Sequence, residues 1–230
     1  MQTRGRKEVN MAGPNVYSVL VTGSNRGIGL ELVKHFVRKP NPPDVIFATC
    51  RDPAGAQAEE LKKMASKHSK VIMLQLEATD PASVEAAAKK AEAHLKGSGL
   101  NLLINNAGVM PQSTLASATP DDMMSVYNTN VVGPLLVTQA FLPLLKKAAQ
   151  GSSHKPLSCS KAALINMSTI LGSMEKTPET YSWFPVVSYR CSKADLTVDE
   201  SVNGIMKVLC NLSEKHHGIL LNWEGKTVPW

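Results

Sequence analysis

The sequence predicts a three-layer α/β fold, a doubly wound parallel sheet with helices on both faces. Short apolar runs alternate with stretches of helical periodicity from Val16 to Met167. That alternation implies a parallel sheet covered on both sides. Right-handed crossovers then make it doubly wound. At 230 residues, 43% hydrophobic and 19% charged, the chain has material for one sizeable domain with a real core.

The elements follow in order. Val16–Val21 is an apolar run that enters a glycine-rich turn, a buried strand. Over Ile28–Val37, Leu30, Leu32, Val33, Phe36 and Val37 recur at helical spacing, and Pro40, Pro42 and Pro43 stop the helix. Val45–Thr49 is the second strand. Ala54–Lys67 is a helix with Leu61, Met64 and Ala65 turned inward. Val71–Leu76 is the third strand, and Pro81 opens a helix that runs to about Lys96. Leu102–Ile104 is the fourth strand. Asp121–Ala149 is a long helical stretch, broken or bent near Gly133-Pro134, and Ala163–Met167 is the fifth strand. Cys159-Ser160-Lys161-Ala162, an echo of Cys191-Ser192-Lys193-Ala194, reads as a solvated loop entering that strand.

Composition narrows the function. Residues 1–15, with Arg4, Arg6 and Lys7, read as a disordered basic tail, and 16–230 as one domain. The formal net charge is +6, but the cations are dispersed, so neither nucleic acid nor a membrane surface is expected as a partner. A site for a phosphate-bearing ligand is the more economical explanation. Cys50, Cys159, Cys191 and Cys210 show no metal spacing and read as free thiols in a reducing compartment. No run of apolar residues is expected to span a bilayer, and the first fifteen residues have no secretory core, so a cytoplasmic protein is expected.

Four segments carry chemistry. In Thr22-Gly23-Ser24-Asn25-Arg26-Gly27-Ile28-Gly29, Gly23 permits a tight turn, while Gly27 and Gly29 let backbone approach a ligand. The helix that follows offers free N–H groups and a positive dipole end to a pyrophosphate. Read alone, the segment is equally a tight strand–helix turn. Asn105-Asn106-Ala107-Gly108 lies at the carboxyl edge of the fourth strand, where open α/β sheets bind ligands, or is a turn satisfied by its own Asn side chains. Ser168 ends the fifth strand. Tyr189 and Lys193 stand four residues apart, on one face of a helix. An ammonium beside a phenol lowers the tyrosine pKa from its usual value of about 10, so that proton exchange near neutral pH is within reach.

These segments, in this order, resemble the short-chain dehydrogenases/reductases, and the resemblance runs from Val16 to Ala194. The glycine segment and Ala48-Thr49-Cys50-Arg51-Asp52-Pro53 are most similar to the sniffer/C-factor-like carbonyl reductase branch. The resemblance implies a Rossmann-type domain, a nicotinamide cofactor and hydride transfer to a small-molecule carbonyl. Gly23, Asn25, Arg26, Gly27, Ile28, Gly29, Arg51, Asn106, Ala107 and Gly108, with Tyr189 and Lys193, are the implied cofactor contacts. Tyr189 is the implied acid, and Lys193 its activator. Ser168 is the implied donor to the reacting oxygen, and Asn130 the residue that holds a water linking Lys193 to solvent. A free ribose 2′-OH calls for a carboxylate after the second strand. Cys50 and Arg51 stand there, and Arg26 reaches the same region, so NADP(H) is expected. Glu77 falls where the family has an aspartate near the adenine.

The pattern breaks after Lys193. A complete fold of this family needs about 55 further residues, and 37 remain. Thr197 and Glu200 open a helix like the family's last one, and Gly218–Trp223 resembles its last strand. The junction Ala194–Asp195 therefore reads as an internal deletion of the sixth-strand region, the cofactor's Pro-Gly loop and the substrate lid, as in an exon-skipped isoform. Two functions stay open. One is an NADP(H)-dependent carbonyl reductase. The other is a truncated form that binds NADP(H), or full-length subunits, with little turnover. Homo-oligomers through the Asn130 and Tyr189 helices are implied, weakened where a helix is cut short.

Overall fold

The computed structural model describes residues 16–152, 158–169, 171, 177–189, 221, 226 and 227. Five strands form the sheet: β1 (Ser18–Val21), β2 (Val45–Cys50), β3 (Val71–Gln75), β4 (Leu102–Asn105) and β5 (Ala163–Asn166). The order is β3-β2-β1-β4-β5, and every pairing is parallel. The winding reverses between β1 and β4, which puts the ligand-binding crevice of a doubly wound sheet at their carboxyl ends.

Strand side chains alternate between two cores. On one face Val19, Val21, Ile46, Ala48, Leu102 and Ile104 meet α1 (Gly27–Arg38) and α2 (Glu59–Lys67) through Leu32, Phe36 and Leu61. On the other, Leu20, Phe47 and Leu103 meet α3 (Pro81–Leu95) and the helical stretch after β4 through Ala87, Ala91 and Phe141. Phe36 and Phe141 are wholly buried. Truncating either to Ala would cost about 3–5 kcal/mol.

The five strands predicted between Val16 and Met167 are all present, with ends differing by a residue or two. The second helix begins as a short 3-10 turn, Ala56–Ala58. The long helix is interrupted earlier than expected. It comprises α4 (Pro120–Tyr127), a π turn (Asn128–Val132) and α5 (Gly133–Gly151). Pro134 has no N–H for the i−4 carbonyl of Asn130, and the Gly133 N–H donates instead to Asn128 O, one residue further back. The turn therefore widens ahead of Gly133-Pro134. By length and composition, Pro120–Gly151 is also apolar enough to cross a membrane, contrary to expectation. Val137, Phe141, Leu144 and Leu145 instead seat α5 on the sheet.

Two further readings fall differently. Cys159 is buried in the first core, and Asn101 Nδ2 donates to the carbonyls of Ser160 and Lys161, both at 3.0 Å, so that loop is anchored rather than solvated. The basic tail, the Ala194–Asp195 junction, the Thr197 helix and the Gly218–Trp223 strand lie outside the described residues, except for Leu221.

Candidate active site

The glycine turn is built by close backbone packing. Gly23 has φ +66°, and a Cβ there would sit 3.0 Å from Ala107 Cα. A Cβ on Gly29 would stand 2.2 Å from Gly23 O and 2.6 Å from Asn106 Nδ2. These two glycines let the turn nest against the Asn-Asn-Ala-Gly loop. Gly27 differs: its φ is +55°, and nothing lies within 4 Å of where its Cβ would be. Its left-handed backbone faces open space, as a ligand-facing glycine should. The side chain of Ile28 packs against the first core, leaving only its backbone to a ligand.

Thr22 joins the two loops, a role the glycine pattern alone did not reveal. Its Oγ1 accepts the N–H groups of Asn106 and Ala107, both at 2.9 Å, and donates to Ile104 O. Asn106 Nδ2 returns a bond to Thr22 O at 2.9 Å. Ser24 N–H donates to Thr49 O at 2.8 Å, which fixes the turn to β2.

The first turn of α1 is prepared for an anion. No side chain caps it and it contains no acidic residue, so its N–H groups and dipole are available. The helices α3 and α4 are both capped, by Asp80 and by a Thr119–Asp122 capping box. Beside α1, Asn25 and Arg26 line a groove of about 590 Å³ with Ala56, Gln57, Glu59, Glu60 and Lys63 of the facing segment, where Glu59 is paired with Lys62 and Glu60 with Lys34.

Arg51 does not line that groove. Its Nε lies 3.7 Å from Glu77 Oε2, and the neighbouring Asp52 accepts the N–H groups of Ala54 and Gly55. Glu77 Oε1 is held by the N–H and hydroxyl of Thr79 at 3.3 and 3.1 Å. The Arg51 side chain is 70% exposed and free to swing toward a phosphate. Burial, then the neighbouring Asp52 charge, push the Cys50 thiol up from its usual pKa, so no thiolate competes for an anion there.

On the other side of the crevice, the π turn aims Asn130 back at the Asn-Asn-Ala-Gly loop. Asn130 Oδ1 accepts Val109 N–H at 2.9 Å, and its Nδ2 donates to Val109 O at 3.0 Å. Gly108 is close beneath, where a Cβ would stand 3.2 Å from Asn130 Oδ1. Tyr189 ends a short 3-10 turn, Val187–Tyr189, and is 5% exposed, packed with Val126 of α4, Val186 and Val109. Asn130 and Tyr189 therefore converge on one residue, Val109.

Ser168 is exposed just past β5, where Met167 N–H donates to Asn105 O at 2.9 Å. It stands at the same edge of the sheet as the Asn-Asn-Ala-Gly loop. Lys193 lies outside the described residues. Among the described residues no group of His, Cys, Asp and Glu could hold a metal ion. The sequence reading also missed Ser113 and Ser188, which no local pattern marks. They are a buried pair of hydroxyls, 75 residues apart in the chain, that bond to each other.

The chain is similar to known proteins. The chain is 46% identical to an NADPH-bound carbonyl reductase from chicken fatty liver and superposes on it with a TM-score of 0.88, over 94% of this chain and 100% of that one. Sniffer, a carbonyl reductase of D. melanogaster, is 30% identical with a TM-score of 0.82 over the same shares. An uncharacterized oxidoreductase of Schizosaccharomyces pombe is 30% identical over 251 aligned residues, 91% of this chain and 96% of its own. That alignment is longer than the 230 residues of this chain, so the relative carries segments with no counterpart here. Residues 17–197 match the short chain dehydrogenase family across both the glycine turn and the Tyr189 segment, and the chain belongs to that family.

Proposed function

We propose that the chain is an NADP(H)-dependent reductase of aldehydes or ketones, acting through Asn130, Ser168, Tyr189 and Lys193. The convergence of Asn130 and Tyr189 on Val109, beside an anion-ready glycine turn, carries this reading. The residues suit the cofactor. Open space over Gly27 and the uncapped start of α1 favour a pyrophosphate. Arg26 and Arg51, with no carboxylate at position 50, favour a 2′-phosphate over a free ribose hydroxyl. The NADPH-bound state of the chicken relative supports the same choice.

When bound, NADPH supplies the hydride. The chain's own residues do the rest. The Tyr189 hydroxyl gives a proton to the carbonyl oxygen, and Ser168 donates a hydrogen bond to that oxygen. Lys193 stabilises the phenolate left behind. Asn130, by gripping both polar groups of Val109, fixes the loop between cofactor and acid. The buried free thiol of Cys50 suits a reducing compartment such as the cytosol.

A second reading keeps cofactor binding and lowers turnover. It is favoured by the aligned segments that relatives carry and this chain lacks. The residues proposed to hold the adenine and pyrophosphate end all precede residue 110, upstream of the proposed deletion. Hydride transfer tolerates little misplacement, since an error of about 1 Å costs about 100-fold. Purified protein titrated with NADPH and assayed on a panel of aldehydes and ketones separates the two. Binding with turnover supports a reductase, and binding with rates at least about ten-fold below the chicken relative supports the second reading. Absence of NADPH binding would overturn both.

A further inference from the structure

We infer that Ser113 is a positioning residue for Tyr189, latching the turn that carries the acid to the loop that borders the cofactor. The inference rests on Tyr189 being the proton donor of the proposed reaction.

The chain from Asn106 to Ser113 is held at three points. Its start is bonded to Thr22 through the N–H groups of Asn106 and Ala107. Its middle is bonded to Asn130 through both polar groups of Val109. Its end is bonded to the two residues immediately before Tyr189. Ser113 O accepts Val187 N–H at 3.1 Å, Ser113 Oγ accepts Ser188 N–H at 3.3 Å, and the two serine hydroxyls bond to each other. Ser113 is 5% exposed and Ser188 9%. Water therefore cannot easily replace these bonds, and a lost partner leaves a buried polar group unsatisfied.

Within the turn itself, Tyr189 N–H donates to Val186 O at 3.1 Å. Val126, Val186 and Val109 surround Tyr189, and apolar contact is non-directional. It excludes water without fixing where a phenol hydroxyl points. The Ser113 bonds add directional constraint between this turn and the cofactor loop. Because the strap begins at the cofactor loop, the hydroxyl of Tyr189 and the cofactor are referenced to one segment. That is what a reaction sensitive to errors of about 1 Å requires.

The test uses the full chain. Ser113→Ala should lower kcat about ten-fold or more while changing the KM for NADPH by less than about two-fold. Ser188→Ala, which leaves the Ser113 carbonyl and the Ser188 N–H in place, should lower kcat less. The double variant should be no slower than Ser113→Ala alone, because both remove parts of one latch. Ser113→Thr, which keeps the hydroxyl, should recover most of the rate. Full kcat in Ser113→Ala, independent multiplication of the two losses, or an equal rise in the KM for NADPH would overturn the inference. If Ser113→Ala fails to fold, Ser188→Ala alone decides it: an unchanged kcat refutes the latch. If the parent chain turns over too slowly to measure, amide hydrogen exchange decides. Ser188 and Tyr189 should exchange at least about ten-fold faster in Ser113→Ala with β1 and β4 unchanged, and unaltered exchange refutes the latch. Tyr189→Phe is measured alongside. An active Tyr189→Phe removes the underlying reading, whereas an inactive one with a normal Ser113→Ala removes only this inference.

Discussion

The two banks of the crevice are built by different means. The cofactor bank, Thr22–Gly29 against Asn106–Gly108, rests on close backbone approach, with Gly23 and Gly29 where a side chain would collide, and on the Thr22 and Asn106 side chains that bond the two loops. The catalytic bank is made by side chains reaching across long sequence separations, Asn130 to Val109 and Ser113 to Ser188. A backbone-built site is written in residue type at fixed local spacing. A side-chain-built site is assembled only by folding. The first depends on its glycines and on Thr22 and Asn106, and the second depends on every element that brings its partners together.

The sharpest way to break the comparison is Tyr189→Phe. Loss of a positioned general acid costs about 100- to 10,000-fold in rate. Because the phenol hydroxyl acts on the reacting oxygen and Phe keeps the ring in place, NADPH affinity should change by less than about two-fold. A comparable loss of NADPH binding in a titration would mean that the banks are not separable.

Arg51→Asp acts on the other bank. The parent chain should bind NADPH more tightly than NADH, and the variant should reverse that order. A charge-assisted hydrogen bond contributes about 1.5–3 kcal/mol, roughly ten- to a hundred-fold in affinity. Freed from Arg51, Glu77 keeps its bonds from Thr79, so the fold should not suffer. Equal affinities for both cofactors in the parent would sink the charge argument.

The smallest effect sharpens the picture of how closed the cofactor bank is. The Cys50 thiol is buried and its pKa is pushed up, so thiolate is scarce at neutral pH. Alkylation by iodoacetamide, followed by mass spectrometry of the Cys50 peptide, should be slow in the folded protein at pH 7. It should rise only as pH passes above the ordinary thiol value of about 8.5, and it should be fast in urea. The sign for stability follows: the folded state holds the protonated thiol, and that contribution is lost as pH rises through the raised value. Rapid labelling at pH 7 would show that the end of β2 opens.

Much of this was legible in the sequence for local reasons. Short continuous apolar runs such as Leu102–Ile104 announce buried strands, because a strand covered on both faces turns apolar side chains both ways and is too short for a helix. The glycine turn was readable because positive φ at Gly23 and Gly27 demands glycine. The position of the helix irregularity was not. Gly133-Pro134 marks its cause, but the missing donor is felt upstream, at Asn128–Val132. The burial of Cys159 was hidden because its flanking Ser160 and Lys161 are polar, and their carbonyls are satisfied by Asn101, far earlier in the chain. Ser113 and Ser188 left no trace, since two serines 75 residues apart have no pattern until the fold pairs them.

The widened turn at Asn128–Val132 can also be seen as a stored residue. A regular helix rotates by about 100° per residue, so α4 and α5 would normally share one phase. The surplus residue uncouples them. Upstream, α4 presents Val126 to the acid's pocket, and downstream α5 presents Val137, Phe141 and Leu144 to the sheet. Between them Asn130 is free to face the loop. Excising one residue here would yield a straighter helix with better local hydrogen bonding. It would also force a choice between seating α5 on the core and keeping Asn130 on Val109, so the segment's length is constrained more tightly than its composition.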